Sequence, residues 1–125
     1  MADVLVVDAN KSIRQMLTAG LTGFGFTVEE ADSYQSAQAL IDNGNIPSVA
    51  IVDFERSSGE ARTFLNYLQS SDYPSLKIIV ATVNSLSDEE QVELGVNAVM
   101  TKPVDLSRLV KAVYLYHRPD TRNES

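Results

Sequence analysis

Short solid runs of branched apolar residues alternate five times, along 125 residues, with stretches in which apolar residues recur every three or four positions. Val4 to Val7, Val49 to Val52 and Ile78 to Ala81 are the solid runs, and Phe26 to Val28 and Ala98 to Met100 are weaker ones. Runs this short and rich in Val and Ile suit strands buried on both faces. Between them, Ile13, Met16, Leu17, Leu21 and Phe24 mark the face of a first helix. Ala37, Leu40 and Ile41 mark a second, Ala61, Phe64, Leu65 and Leu68 a third, and Leu106, Leu109, Val110 and Val113 a last. A short fourth helix is expected between Ser87 and Gly95. Spacing of three and four places each set on one side of its helix. A strand followed by a helix, five times over, predicts an α/β fold: one domain with a doubly wound, five-stranded parallel sheet covered on both faces.

Local signals agree. Asp32 with Gln35, Ser57 with Glu60 and Ser87 with Glu90 have the spacing of helix-starting boxes or a close variant. Asp105 is an expected cap for the last helix. Gly25, Gly44 and Gly95 stand where a helix ends in a left-handed residue. The polar stretch from Arg118 to Ser125 reads as a frayed tail.

Composition removes several chemistries. The chain has no cysteine, which excludes a disulfide scaffold, a thiolate zinc site and a thiol nucleophile. Its one histidine, His117, excludes a multi-histidine metal site. Seventeen acidic residues against ten basic ones give a net charge of −7, which argues against binding nucleic acid through its phosphates. No apolar run approaches the ~20 residues of a membrane span. The start, MADVLVVDAN, places no basic segment ahead of the apolar stretch and does not read as a signal peptide. A cytoplasmic protein without a membrane partner is the expectation.

In an open parallel sheet, ligands bind beyond the carboxyl ends of the strands. Asp8 follows the first run, Asp53 the third and Thr82 the fourth, while Lys102 and then Pro103 follow the fifth. Two carboxylates, a hydroxyl and an ammonium thus converge on one edge. A carboxylate serves as a nucleophile, a second helps to hold a divalent cation, and Lys with a hydroxyl stabilises phosphoryl oxygens. The set suits phosphoryl transfer. Taken singly, each residue also reads blandly: Asp8 and Asp53 as turn or cap residues, Thr82 as a β-branched strand end, Lys102 as a solvated charge.

These residues give the chain its resemblance to the response-regulator receiver domains of two-component signalling, the CheY-like branch of the flavodoxin-like folds. It is carried by VLVVD at 4–8, IVD at 51–53, IIVAT at 78–82, ELG at 93–95 and TKPVD at 101–105. It extends from about Asp3 to His117, so that residues 1–118 form the receiver domain and 119–125 a polar tail. The resemblance implies that Asp53 accepts a phosphoryl group from a histidine kinase or phosphotransfer partner with Mg²⁺ bound. It implies that Thr82 turns toward that group, that Lys102 pairs with it, and that the Lys102–Pro103 bond is cis. Asp8, Asp53 and the backbone carbonyl of Glu55 would be the metal ligands.

Four departures qualify it. Receivers end their first strand with two acids, and here the pair is Asp8-Ala9, so the usual direct metal ligand is missing and Mg²⁺ binding should weaken. The loop FERSSGE, residues 54–60, lacks the family's proline. Glu55 either replaces the lost carboxylate or points to solvent, and the second is the commoner fate of a loop acid. Val83 stands where a small residue is common. Val99 stands where an aromatic switch residue is usual.

The expected function is therefore a phosphorylated signalling receiver, not an enzyme. The alternative is a pseudo-receiver that binds proteins without phosphorylation. A carboxylate-nucleophile phosphatase is disfavoured because Asn10 or Glu55 stands where its second Asp belongs, and a flavin site because DANKS has no glycine. Asp88, Glu89, Glu90 and Glu93 on the fourth helix face Arg108, Lys111 and Arg118 on or beyond the fifth. That opposition allows a homodimer through these helices.

Overall fold

A computed structural model describes residues 2–70 and 72–117. In chain order the elements are β1 (Val4–Val7), α1 (Lys11–Gly23), β2 (Val28–Ala31), α2 (Tyr34–Asp42), β3 (Val49–Asp53), α3 (Gly59–Leu68), β4 (Lys77–Thr82), α4 (Asp88–Leu94), β5 (Ala98–Thr101) and α5 (Leu106–His117). The strands form one parallel sheet in the order β2-β1-β3-β4-β5. The doubly wound α/β fold expected from the alternation is the fold observed. The expected tail after His117 lies outside the described residues.

The solid runs are apolar throughout because each strand feeds two cores. Leu5, Val7, Ala50, Val52, Ile78 and Val80 point to the side covered by α2 and α3. Val4, Val6, Val49, Ile51 and Ile79 point to the side covered by α1 and α5. The alternation is the two-residue period of a strand. Burying each Val, Leu or Ile among them contributes about 1.5–3 kcal/mol. In α3 all four expected residues are buried, and in α5 Leu109, Val110 and Val113 are.

Three expectations are corrected. The second strand is Val28–Ala31 rather than Phe26 to Val28, paired from Val4↔Val28 to Val7↔Ala31. It is an edge strand, and Glu29 and Glu30 sit where a charged edge discourages further pairing, which hid it from an apolar-run reading. Phe26 precedes it and is buried against α5. In α1, Met16 and Phe24 are about half exposed, at 49% and 54%; the buried stripe runs through Leu17 and Leu21. Gly20 faces α5 there, and a Cβ on it would run into the Leu106 side chain. The caps of α2 and α3 fall one residue later than expected. Ser33 caps α2 in a reciprocal box with Ser36, and Ser58 caps α3.

Other signals match. Ser87 and Glu90 form the box that starts α4. Oδ1 of Asp105 accepts from the Ser107 and Arg108 amides at the start of α5. Gly25, Gly44 and Gly95 all have positive φ. Asn10 caps α1, its Oδ1 accepting from the Ile13 amide. Among the described residues no helix is long and apolar enough to cross a membrane.

Candidate phosphoryl-transfer site

The sheet order turns back between β1 and β3, so the loops after these strands diverge and open a crevice at their carboxyl ends. Asp8 and Asp53 stand there. Asp8 is 5% exposed. Its amide donates to the Ala31 carbonyl at 3.0 Å, its carbonyl accepts from Arg14 Nη1 at 2.8 Å, and its Oδ1 accepts from the Asn10 amide at 2.8 Å. Arg14 is held in turn by Glu30 at 3.0 Å. The Asp8 carboxylate is thereby fixed before any ligand arrives.

Asp53 is the last residue of β3, registered beside Ala81. Lys102, just beyond β5, reaches across β4 to it. Its Nζ lies 2.5 Å from Asp53 Oδ1 and 3.8 Å from Asp8 Oδ2. The Lys102 amide donates to the Thr82 carbonyl at 2.7 Å, which ties the base of this side chain to the end of β4. The Lys102–Pro103 peptide bond is cis. Thr82 is 1% exposed, and its Oγ1 accepts from the Asn84 amide at 3.4 Å. Asp8, Asp53 and Lys102 meet directly, and Thr82 joins them through its main chain. The Asp53 side chain keeps 36% of its surface in solvent. Its Oδ2 has no protein donor among the described residues.

Glu55 does not turn inward. Its Oε1 accepts from the amide and hydroxyl of Ser57 at 3.3 and 3.1 Å, and its carbonyl accepts from the Ser58 amide at 2.9 Å. The carboxylate is spent on its own loop. Val83 is exposed, and Val99 packs partly buried against the α2–α3 core.

Two residues in this neighbourhood carried no sequence signal. Tyr34, the first residue of α2, donates its hydroxyl to the Asp53 carbonyl at 2.7 Å and stacks on Phe64. Burial, reinforced by the negative charges of Asp53 and Asp8, pushes its phenol up to about 12, so the phenol remains a donor at neutral pH. Arg56, in the loop after Asp53, donates to the Ser85 carbonyl at 3.0 Å and to Glu90 Oε1 at 2.7 Å. Each reads in sequence as an ordinary surface residue, because its partner lies 19 or more positions away. A cleft of about 210 Å³, lined by Asp8, Ala9, Asp32, Tyr34, Asp53 and Glu60 among others, opens beside the carboxylates.

A divalent cation fits this donor set weakly. Mg²⁺ is commonly held by one or two carboxylates and several waters, and Asp8 and Asp53 supply two. The Ala9 side chain contributes no oxygen, the Glu55 carboxylate is turned away, and the Lys102 ammonium already offsets one of the two negative charges. Among the described residues no three acidic or imidazole groups gather into a metal-binding cluster.

Comparison with known proteins agrees with this geometry. Residues 4–114 match the model of the response regulator receiver domain. The chain is 27% identical over 113 residues to a probable transcriptional regulator, ycf29, of Cyanophora paradoxa, a match that covers 88% of this chain and 53% of that protein. The chain thus spans about half the length of this relative. Among solved structures it is similar to the chemotaxis protein CheY4 of Vibrio cholerae, with 27% identity, a TM-score of 0.80 and coverage of 93% of this chain and 98% of that one. It is also similar to a response regulator receiver protein of Pseudomonas putida, with 27% identity, a TM-score of 0.78 and coverage of 90% and 94%. With its sheet order, its strand-end residues and a family match along almost its whole length, the chain belongs to the response regulator receiver domains of two-component systems.

Proposed function

We propose that this receiver domain takes a phosphoryl group on Asp53 from a phosphohistidine of a kinase or phosphotransfer protein. The observation that carries the reading is the asymmetry of the Asp53 carboxylate. One oxygen is held by Lys102 at 2.5 Å, while the side chain remains 36% exposed beside an open cleft. The other oxygen forms the new P–O bond, the P–N bond to the donor imidazole breaks, and the released ring nitrogen takes a proton from water. Lys102 then faces a phosphoryl oxygen instead of a lone carboxylate, and Thr82 turns its hydroxyl toward the same group. Asp8 and Asp53 would hold Mg²⁺, which when bound supplies further neutralisation of phosphoryl charge. The chain acts as a switch that carries the group rather than as an enzyme that turns over. It works in the cytoplasm and makes no direct contact with nucleic acid. The homodimer reading draws support from Val92 on α4 and Leu115 on α5, both exposed.

A second reading, a phosphorylation-independent binding module, is favoured by Ala9 and by the turned-away Glu55. One experiment separates the two. The protein is incubated with acetyl phosphate and Mg²⁺, and its intact mass is measured. A phosphoryl increment that Asp53→Asn abolishes is expected. No increment at high Mg²⁺, nor with a kinase partner, overturns the receiver mechanism and leaves the binding module.

A further inference from the structure

We propose that Tyr34 is a positioning residue for the phosphoacceptor: its hydroxyl holds the main-chain carbonyl of Asp53 and so sets where the Asp53 carboxylate stands when a phosphodonor arrives. The proposal rests on the reading of Asp53 as the acceptor and deepens it.

The peptide that joins Asp53 to Phe54 is the first after the β3 ladder ends. Both of its polar groups are used, and from opposite sides. The carbonyl accepts from Tyr34 at 2.7 Å, and the Phe54 amide donates to the Ala81 carbonyl at 2.8 Å. Rotation of this peptide breaks one bond or the other. The Asp53 carboxylate hangs from the same Cα by two single bonds, so its position follows the peptide plane. The hydroxyl is itself fixed, because the Tyr34 ring stacks on Phe64 of α3 at 5.2 Å and 27°. Phe64 stacks in turn on Tyr67 at 6.1 Å and 25°.

Such a clamp has a particular use in this chain. A carboxylate at position 9 would let a bound cation orient Asp53 from the cleft side, and Ala9 provides none. The protein fixes the nucleophile with its own groups instead, Lys102 on one carboxylate oxygen and Tyr34 on the carbonyl. A misplaced reacting group slows transfer steeply. Loss of one hydrogen bond to the carbonyl permits part of that displacement.

The test uses the whole chain with acetyl phosphate and Mg²⁺, and compares the parent protein with Tyr34→Phe, which keeps the ring stack and removes only the hydroxyl. Phosphorylation is followed by intact mass, and the Asp53 carbonyl by its ¹³C chemical shift. The expected result is an altered carbonyl shift and phosphorylation slowed about three- to tenfold, with the same ratio at every Mg²⁺ concentration. Phe64→Leu loosens the same interface but keeps the hydroxyl, and serves as a control matched for thermal stability. Equal slowing in both variants at equal loss of stability overturns the proposal, as does an unchanged carbonyl shift or an unchanged rate in Tyr34→Phe. If the parent protein takes no phosphoryl group, the reading of Asp53 as acceptor falls and the proposal with it. That outcome is distinct because it appears before any substitution is made.

Discussion

The side-chain amide of Gln69 occupies the space that a Cβ on Gly95 would need. Gly95 closes α4 in the left-handed region at φ 67°, and Gln69 closes α3 and donates through Nε2 to the Leu94 carbonyl. The ends of two helices are thus locked by one glycine and one amide. Gly95→Ala should destabilise the protein by about 2–3 kcal/mol, combining a left-handed backbone penalty with the lost hydrogen bond. Gln69→Ala, which keeps the glycine, should cost about 0.5–1.5 kcal/mol. Urea unfolding midpoints check both, and equal losses would show that backbone conformation plays no part.

Lys102 places one positive charge near two carboxylates, close against Asp53 and further from Asp8. Lys102→Met should lower stability by about 1–3 kcal/mol, toward the smaller value because Asp53 reaches solvent. Adding Asp53→Asn should recover part of the loss, since one of the two abandoned charges is then gone. Unfolding of the single and double variants at neutral pH measures the recovery. Its absence would mean that the ammonium contributes by packing alone.

Stability should fall in alkali, and two tyrosines should account for much of the fall. Tyr34 is pushed from 10 to about 12, chiefly by burial, and Tyr67 is raised by burial and by its hydrogen bond to Asp42. Near pH 10 the unfolded chain releases phenolic protons that the folded chain still holds. The contribution is therefore complete below about pH 10 and is lost as pH rises toward the folded values. Urea midpoints taken across that range should decline, and Tyr34→Phe and Tyr67→Phe should each flatten the decline.

Arg56 links the loop after Asp53 to the first turn of α4. Glu90 takes part twice, as the capping acid for Ser87 and as the partner of Arg56 at 2.7 Å. The capping bond to the Ser87 amide, with help from Arg56, keeps its carboxyl below the usual range. Arg56→Ala should speed amide exchange in the first turn of α4 while leaving α5 unchanged. Raised salt should narrow the difference between variant and parent, because both groups are exposed. Salt-independent exchange would point to the Ser85 carbonyl as the partner that matters.

Legibility in the sequence followed the range of the physics. Val4 to Val7 could be read because both of its faces are buried, which leaves a solid run. Leu65 and Leu68 could be read because their period is local. Val28–Ala31 could not, since an edge strand carries Glu29 and Glu30 on a partly solvated surface. At the site, the positions after the strands pointed to Asp8, Asp53, Thr82 and Lys102 because strand ends in a parallel sheet share an edge. Tyr34 and Arg56 stayed hidden because their roles depend on groups far away in the chain. For Glu55 the exposed orientation could be favoured as the common fate of a loop acid, but its two bonds to Ser57 could not be read.

The sheet divides the interior into two apolar clusters, one beneath α2 and α3 and one beneath α1 and α5. A side chain in the first has a β-strand between itself and the second, so changes on the two sides should combine additively. Selection can therefore rework the α1 surface without disturbing the packing under α3, and the reverse. The strand-end residues Asp8, Asp53, Thr82 and Lys102 sit on the rim common to both halves, where either history of change has to leave them in place.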